Sequence, residues 1–179
     1  MRNCVNAHRF PKPSPARLVD AMRQLAGGVC VITAGRAPNR TGYTGTAVFS
    51  LSVDPERVIV SVGRGSSSYP AIRDGGAFGL NVLRGDQQSI ADRFAGRGGV
   101  KGEERYSGAE WFISPAGVSL LVDALATVEC RVEEIIERHS HAIIVAEPLT
   151  IQTREAADAL IYWRSRYAAT PSSAVLAAE

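Results

Sequence analysis

The hydrophobic pattern near the start of the chain has the period of a helix. Four apolar residues recur at helical spacing: Leu18, Val19, Met22 and Leu25. Ser14–Pro15 precedes them as a capping serine followed by a proline at the first helical position, and Gly27–Gly28 follows them as a stop. The pattern therefore predicts one short helix between these two signals.

After the glycines the pattern changes to short runs rich in β-branched residues, which are typical of strands. These runs span 29–33, 41–52, 58–62, 78–83, 141–150 and 160–163. The clearest alternation of apolar and polar residues runs from Ala126 to Glu133. We expect this strand to bury its apolar face and to expose its polar residues, Glu129 among them, as strands of antiparallel sheets and barrels do.

Helical signals are few in the rest of the chain. A helix fits 86–94, where Ile90, Ala91 and Phe94 share one face, and the glycine-rich stretch 95–104 is predicted to be a loop. The chain lacks a repeating strand–helix–strand order and internal repeats. The predicted fold class is therefore mainly β, a barrel or sandwich with a few peripheral helices.

Composition and charge narrow the class of protein. The 179 residues suffice for one domain, and 20 basic against 18 acidic residues leave a net charge of +2, which does not favour a nucleic-acid partner. No apolar run approaches the ~20 residues that span a bilayer, and residues 1–15 lack the apolar core of a secretory signal. Three widely spaced cysteines, Cys4, Cys30 and Cys130, form no metal-binding motif and favour a reducing compartment. We expect a cytoplasmic protein without a membrane anchor.

Two segments have a composition that favours a ligand. The Gly63–Ser68 segment, GRGSSS, follows a strand but lacks the third glycine and the strand–helix–strand unit of a dinucleotide fingerprint. It is either a phosphate-holding loop of backbone and hydroxyl donors or a solvated turn. The Thr41–Ser52 segment carries small and hydroxyl residues where a core strand carries Val, Ile or Leu. It is either a surface against which a flat ligand lies or a polar edge strand.

Other candidate chemistry is weaker. His139 and His141 share one face of a strand, yet a third metal ligand of suitable type is not nearby, so no metal site is predicted. A Gly-x-Ser-x-Gly nucleophile motif does not occur in the chain. The Tyr162–Tyr167 hexamer interleaves aromatic residues and arginines, as single-stranded nucleic-acid sites do, but it is the one such cluster.

Taken together, several segments resemble the flavin reductase-like family, the short NAD(P)H:flavin oxidoreductases of two-component monooxygenases. The segments that carry the resemblance are Met22–Thr33, Gly42–Pro55, Phe78–Leu83, Arg93–Gly96, Ala124–Cys130 and Tyr162–Tyr167. Their order and spacing cover roughly Pro15 to Tyr167, nearly the whole chain. The resemblance implies a split β-barrel of the Greek-key, FMN-binding type, and a homodimer with flavin near the subunit interface.

The resemblance also implies a set of flavin-binding residues. Those along the isoalloxazine and ribityl chain would be Thr44, Gly45, Thr46, Ala47, Val48, Ser50 and Leu51. Ser66 and Ser67 match positions near the flavin phosphate, Asn81 lies on the neighbouring strand, and Lys101 is similar to a basic loop residue that reaches the phosphate or adenylate side.

The nicotinamide side is implied in the same way. Where the family has Gly-Asp-His before a strand, this chain has His139-Ser140-His141, so His141 keeps the histidine that orients the nicotinamide. Where the family ends in Gly-Arg/Lys-Tyr, Arg166 and Tyr167 are retained after Ser165.

The implied activity is hydride transfer from NADH or NADPH to FMN or FAD, which supplies diffusible reduced flavin to a partner monooxygenase. The sequence predicts an extended arm over 1–14, the barrel domain over 15–167 and a tail over 168–179. Two other classes remain open at this point: a non-reducing flavin-binding sensor or storage protein on the same barrel, and an oxidase like pyridoxamine phosphate oxidase. The residues do not decide between the two flavins or between the two nicotinamides.

Overall fold

The computed structural model describes residues 17–154 and 158–171. The predicted arm over 1–14, the Ser14–Pro15 cap and most of the predicted tail lie outside the described residues. The helices are α1 (Leu18–Met22), α2 (Ser68–Gly75) and α3 (Gln88–Phe94). The strands are β1 (Gly27–Gly28), β2 (Cys30–Ala34), β3 (Thr41–Gly45), β4 (Val48–Val53), β5 (Glu56–Gly63), β6 (Ala77–Val82), β7 (Trp111–Ile113), β8 (Ser119–Leu121), β9 (Ala126–Arg138), β10 (His141–Thr153), β11 (Leu160–Trp163) and β12 (Arg166–Ala169).

Seven antiparallel strands form the main sheet, in the order β3-β2-β6-β9-β10-β5-β4. The outermost strands, β3 and β4, are consecutive in the chain, and only Thr46 and Ala47 separate them. Because two residues span only about 10 Å even when extended, the sheet must curl until its two edges meet. The result confirms the predicted mainly β fold of split-barrel type with a few helices.

Two apolar clusters hold this curled sheet together. One fills the inside of the barrel, where Ile32, Val60, Phe78 and Ile144 are buried and Ile72 of α2 covers them. The other lies between α3, the 102–106 turn and the smaller strands. There Phe94 packs edge-on against the ring of Tyr106, with 5.0 Å between the ring centroids. The second cluster places α3 directly over β3.

Local structure departs from the sequence expectations at the glycines and in the Thr41–Ser52 segment. Gly27–Gly28 ends the region of α1 as predicted, but it also pairs with β11 as a short strand of a three-stranded sheet. The helix itself is short, and its apolar side chains are exposed. The Thr41–Ser52 segment is two strands on opposite edges of the sheet, because the chain crosses the barrel opening at Thr46–Ala47.

The polar face of β9 is the clearest correction. Glu129 is only 1 % exposed, although the alternation predicted a solvated residue. The cause is the β7–β8 hairpin, which the sequence pattern did not reveal and which covers this face. Its turn binds the buried carboxylate through Ser114 Oγ at 2.7 Å and the Ala116 N–H at 2.5 Å. These two hydrogen bonds offset the cost of burying the Glu129 carboxylate.

Two further findings bear on the molecule's class. None of the helices that the structure describes, three α-helices and the short 3₁₀ helices Arg97–Gly99 and Gly102–Tyr106, is long and apolar enough to cross a membrane. Within the described ranges, groups of three or more His, Cys, Asp or Glu side chains that could hold a metal ion do not occur. At the other end of the domain, β12 continues to Ala169, two residues beyond the predicted boundary at residue 167.

Candidate functional site

The link between β3 and β4 is the seam of the barrel, and it is built from small residues. The Ala47 carbonyl accepts a hydrogen bond from the Ser61 N–H at 3.1 Å, which fastens the link to β5. A Cβ on Gly27 would lie 2.9 Å from Thr46 Cβ, so β1 approaches the link only because residue 27 is a glycine. The seam is therefore a close meeting of backbones.

Part of the small-residue pattern serves packing. A Cβ on Gly42 would lie 2.6 Å from the Phe94 ring, and the Thr44 hydroxyl donates to the Ala91 carbonyl of α3 at 2.6 Å. Residues 41–44 thus let α3 lie flat on β3. Gly45, Thr46 and Ala47 have no such packing role against α3, and each of them lines a cavity.

A pocket of about 270 Å³ opens beside this seam. We call it the seam pocket, and its lining residues are Val29, Thr44, Gly45, Thr46, Ala95, Arg97, Tyr162 and Tyr167. The Tyr162 and Tyr167 rings stand opposite each other on β11 and β12, with centroids 5.2 Å apart. Arg97 is 2.9 Å from Asp92 and lies over the Tyr167 ring at 5.4 Å. Aromatic faces and small backbone-exposing residues form a slot suited to a flat ring.

A larger groove of about 510 Å³ adjoins the seam pocket at Thr46 and Tyr162. Ala47, Phe49 and apolar residues of α1 line its floor. The turn between β11 and β12 forms its wall and lies against α1, where the Arg164 guanidinium donates two hydrogen bonds to Gln24 Oε1 at 3.1 and 2.8 Å.

The closing turn keeps its shape without the family's glycine. Arg164 and Ser165 have φ of 47° and 65°, which is the left-handed geometry that glycine favours. Arg166 follows it as an exposed residue paired with Trp163. The aromatic and arginine hexamer is thus a folded hairpin, and its Tyr162 and Tyr167 line the seam pocket.

A basic cleft of about 1130 Å³ lies at the other end of β3. Its four cationic residues are Arg36, Arg40, Lys101 and Arg105. Arg40 is paired with Glu103 at 2.7 Å, and Arg36 donates to the Ala116 carbonyl at 3.0 Å. Among the described residues, no carboxylate lies within ion-pair distance of the Lys101 amine. Arg36 and Arg105 likewise have no ion-pair partner among the described residues, so three cations of this cleft, Arg36, Lys101 and Arg105, keep a charge that can attract an anion.

Hydroxyl groups border the same cleft. Ser67 and Thr41 both line it, and their Oγ atoms are 2.7 Å apart. The neighbouring Ser66 Oγ and Ser68 Oγ are buried and have no hydrogen-bond partner among the described residues. Buried hydroxyls without partners are costly unless a ligand or water satisfies them, and phosphate oxygens accept from hydroxyl donors. This donor set fits the phosphate end of a flavin.

His141 begins β10 next to a two-residue turn. It is exposed, its Nδ1 is 2.9 Å from Ser140 Oγ, and it stands opposite Gly63, the last residue of β5. A Cβ on Gly63 would lie 3.9 Å from His141 Nε2, an ordinary van der Waals distance, so the exposed imidazole lies beside the end of β5. The histidine is therefore beside the Gly63–Ser67 loop that leads to the basic cleft.

The predicted residues are only partly brought together. Thr44, Gly45 and Thr46 meet Tyr167 in the seam pocket, while Ser67 and Lys101 meet in the basic cleft. Six others line neither of these two cavities: Val48, Ser50, Leu51, Ser66, His141 and Arg166. Val48 packs on the barrel core, and Ser50 and Leu51 are exposed on β4.

Asn81 also stands apart, because its side chain is fully buried and bound at both ends to the backbone. Conversely, Tyr162 and Arg97 line the seam pocket although neither was assigned a ligand role from sequence. The sequence signal for Tyr162 was its place in the Tyr162–Tyr167 segment, which carries part of the family resemblance. The only signal for Arg97 was its position directly after the Arg93–Gly96 match.

Comparison with known proteins gives a consistent result. The model of the flavin reductase like domain matches residues 22–171. A relative named FMN reductase (NADH) RutF from Pseudomonas syringae pv. syringae (strain B728a) is 33% identical over 153 residues, which cover 86% of this chain and 85% of the relative. A protein of the same name from Methylorubrum extorquens (strain DSM 6343 / CIP 106787 / DM4) is 34% identical over 155 residues, covering 85% of this chain and 73% of the relative.

Solved structures agree with the curated relatives. BorF, the flavin reductase component of a bacterial two-component tryptophan halogenase, superimposes with a TM-score of 0.79 at 28% identity, covering 86% of this chain and 96% of BorF. A flavin reductase domain protein from Arthrobacter sp. FB24 superimposes with a TM-score of 0.76 at 29% identity, covering 86% of this chain and 93% of that protein.

Proposed function

Since the chain belongs to the flavin reductase-like domain family, whose model spans residues 22–171, we propose that it is an NAD(P)H:flavin oxidoreductase. The observation that carries the proposal is the pairing of an aromatic-walled pocket at the barrel seam with a basic cleft at the other end of the same strand. Thr44 lines the pocket and Thr41 lines the cleft. They are three residues apart on β3, about 10 Å at ~3.3 Å per residue, a span that a ribityl chain bridges.

The residues of the chain divide the work of binding. Lys101, with the Ser66 and Ser67 hydroxyls, holds the phosphate by charge and by donated hydrogen bonds. The Thr46–Ala47 backbone and the Tyr162–Tyr167 pair orient the ring in the slot and exclude water from one face. Backbone N–H groups at the link stabilise negative charge that develops on the ring.

When bound, the flavin accepts a hydride from the nicotinamide, and that chemistry belongs to the two cofactors. The protein therefore needs no nucleophile and no acid of shifted pKa. His141 orients the nicotinamide carboxamide by donating a hydrogen bond from its imidazole, which both protonation states can do. Arg166, exposed beside the seam pocket's Tyr167, contacts the anionic part of the same co-substrate.

The finer assignment follows the relatives. FMN and NADH are the proposed pair, because the curated relatives at 33% and 34% identity carry both in their names. The groove adjoins the seam pocket, and it is the proposed path by which reduced flavin leaves to serve a partner flavin-dependent monooxygenase or a related enzyme. The similarity to BorF, a component of a two-component system, supports this role.

The test is anaerobic NADH and NADPH oxidation with each of FMN and FAD. We expect the flavin absorbance to bleach at the rate at which the reduced nicotinamide is consumed, and the rate to be highest with FMN and NADH. Tight flavin binding without nicotinamide oxidation would contradict the proposal and favour a flavin sensor or storage protein.

A further inference from the structure

The turn between β9 and β10 is held to the Gly63–Ser67 loop by one side chain. The Arg64 guanidinium donates from Nη1 to the His139 carbonyl at 3.1 Å, and its Nη2 lies 2.8 Å from Glu137 Oε2. The Arg64 backbone N–H also donates to the Ser140 carbonyl at 2.9 Å. Arg64 therefore contacts both residues of the turn that leads into His141 and one residue near the end of β9.

Glu137 connects this contact to the barrel core. Its second oxygen, Oε1, accepts a hydrogen bond from the hydroxyl of Tyr69, which is a buried residue of α2. The Tyr69 ring packs in the core cluster, which holds its hydroxyl in place. The carboxylate is thus fixed on one side, and the Arg64 fork reaches from it to the turn with the planar geometry that suits paired acceptors.

The turn itself needs such a support. His139 has a φ of 51°, a left-handed conformation that is uncommon for residues other than glycine. β9 and β10 are 13 residues each, and their turn lies at the far end of that hairpin. Within the described residues, Arg64 is the only side chain from outside the hairpin that hydrogen-bonds to the turn's backbone.

We propose that Arg64 is a positioning residue that holds the β9–β10 turn, and with it the His141 imidazole, against the Gly63–Ser67 loop. The inference rests on the proposed function, because it assigns Arg64 an effect on nicotinamide use through His141. It also explains why the one arginine of the GRGSSS segment turns towards Glu137 and away from the basic cleft. The hydroxyls of that segment are then free for the flavin phosphate.

The test is a double-mutant cycle of Arg64→Ala and His141→Ala, read as kcat/KM for NADH at saturating FMN. We expect a loss of roughly 10- to 100-fold for His141→Ala and of roughly 3- to 30-fold for Arg64→Ala. The double variant is expected to be no worse than His141→Ala by more than about twofold, since both changes remove the same contact. FMN affinity is expected to stay within about twofold in all three variants.

Controls separate positioning from general stability. Arg131→Ala removes an arginine of the β9–β10 hairpin itself, one whose partner Glu147 lies away from the turn, and it is expected to leave kcat/KM for NADH unchanged. Arg64→Lys keeps the charge but loses the fork, so a partial restoration is expected. If Arg64→Ala protein does not fold, the cycle is run with Arg64→Lys and interpreted in the same way.

Three results would overturn the inference: wild-type kcat/KM in Arg64→Ala, wild-type kcat/KM in His141→Ala, or losses that multiply in the double variant. A wild-type protein that oxidises neither NADH nor NADPH would instead refute the proposed function. If the wild-type protein is active and the two losses multiply in the double variant, only the proposed role of Arg64 is refuted.

Discussion

Asn81 ties three segments of the chain together from the centre of the main sheet. Its Nδ2 donates to the Val31 carbonyl at 3.0 Å, and its Oδ1 accepts from the Leu121 N–H at 2.7 Å. Both ends of the side-chain amide are therefore bound to the backbone of neighbouring strands. The resemblance implied that Asn81 binds flavin, but in the structure its side chain links β2, β6 and β8.

We expect Asn81→Ala to lower the free energy of unfolding by about 2–5 kcal/mol, because it leaves a buried carbonyl and a buried N–H without partners. Urea unfolding measures this, and FMN affinity of the folded fraction is expected to be unchanged. Gln152→Ala, an exposed change on β10, is the control. Weaker FMN binding with full stability would place Asn81 in the flavin site after all.

The two described cysteines make stability depend on pH. Burial raises the pKa of the Cys30 thiol to about 12 from its ordinary 9.0, and burial with the nearby Glu129 charge does the same for Cys130. The folded protein therefore keeps both thiols protonated at a pH where the unfolded chain ionises them. Their contribution is fully present below about pH 9 and is lost as the pH rises towards 12.

Unfolding at about pH 8 and at about pH 10 checks this expectation, with a loss of up to ~1.4 kcal/mol per pH unit for each thiol. The Cys30→Ala/Cys130→Ala double variant is the control, and its stability is expected to fall less steeply with pH although it starts lower. Equal slopes in the two proteins would show that other groups cause the loss.

At the scale of elements, the β3–β4 link does two jobs, because it closes the barrel and borders both the seam pocket and the groove. Ala47 is half-buried and lines the groove with Phe49. We expect Ala47→Phe to abolish measurable FMN binding, since the ring fills the space beside the seam pocket. Equilibrium titration of FMN fluorescence gives the affinity, and circular dichroism shows whether the strands persist.

Ala168→Phe makes the same change at an exposed strand position of β12 and is expected to leave FMN affinity unchanged. An Ala47→Phe protein that is folded and binds FMN as the wild type does would show that the ring lies elsewhere.

The sequence predicted most strands of the main sheet, because β-branched runs and alternation are local signals. It did not predict the β7–β8 hairpin, whose two strands of three residues are too short to carry a period. The burial of Glu129 followed from that hairpin, so it was missed for the same reason. Ser67 and Lys101 could be paired in one site only by resemblance, since 33 residues that include α2 and α3 separate them in the chain and only the fold brings them to one cleft.

At the scale of the whole molecule, one chain exposes more apolar surface along β4 than an isolated barrel needs. Phe49, Leu51 and Val53 alternate along this edge strand and are 62, 52 and 83 % exposed. Apolar side chains of α1 border the groove beside them. Contiguous exposed apolar surface of this kind marks an interface, and the predicted homodimer would cover it.

We expect light scattering to report about 38 kDa, twice the 19.1 kDa of one chain. Phe49→Glu with Val53→Glu is expected to shift the protein to the monomer mass, because charges on the buried face must be desolvated. Ile113→Glu, an exposed change on β7, is the control. A wild-type mass of one chain would contradict the homodimer.

The seam at Thr46–Ala47 also couples ligand binding to the stability of the two edge strands. A ligand seated there contacts the end of β3, and through the Ala47–Ser61 bond its hold extends to β4 and β5, the strands at the opposite edge of the sheet. Occupancy of the site and closure of the barrel are then one equilibrium, so the bound state is stabilised against opening by the binding free energy. FMN should therefore slow amide hydrogen exchange in both edge strands together, and its departure should release both, so each turnover in which reduced flavin leaves also loosens the barrel at its seam.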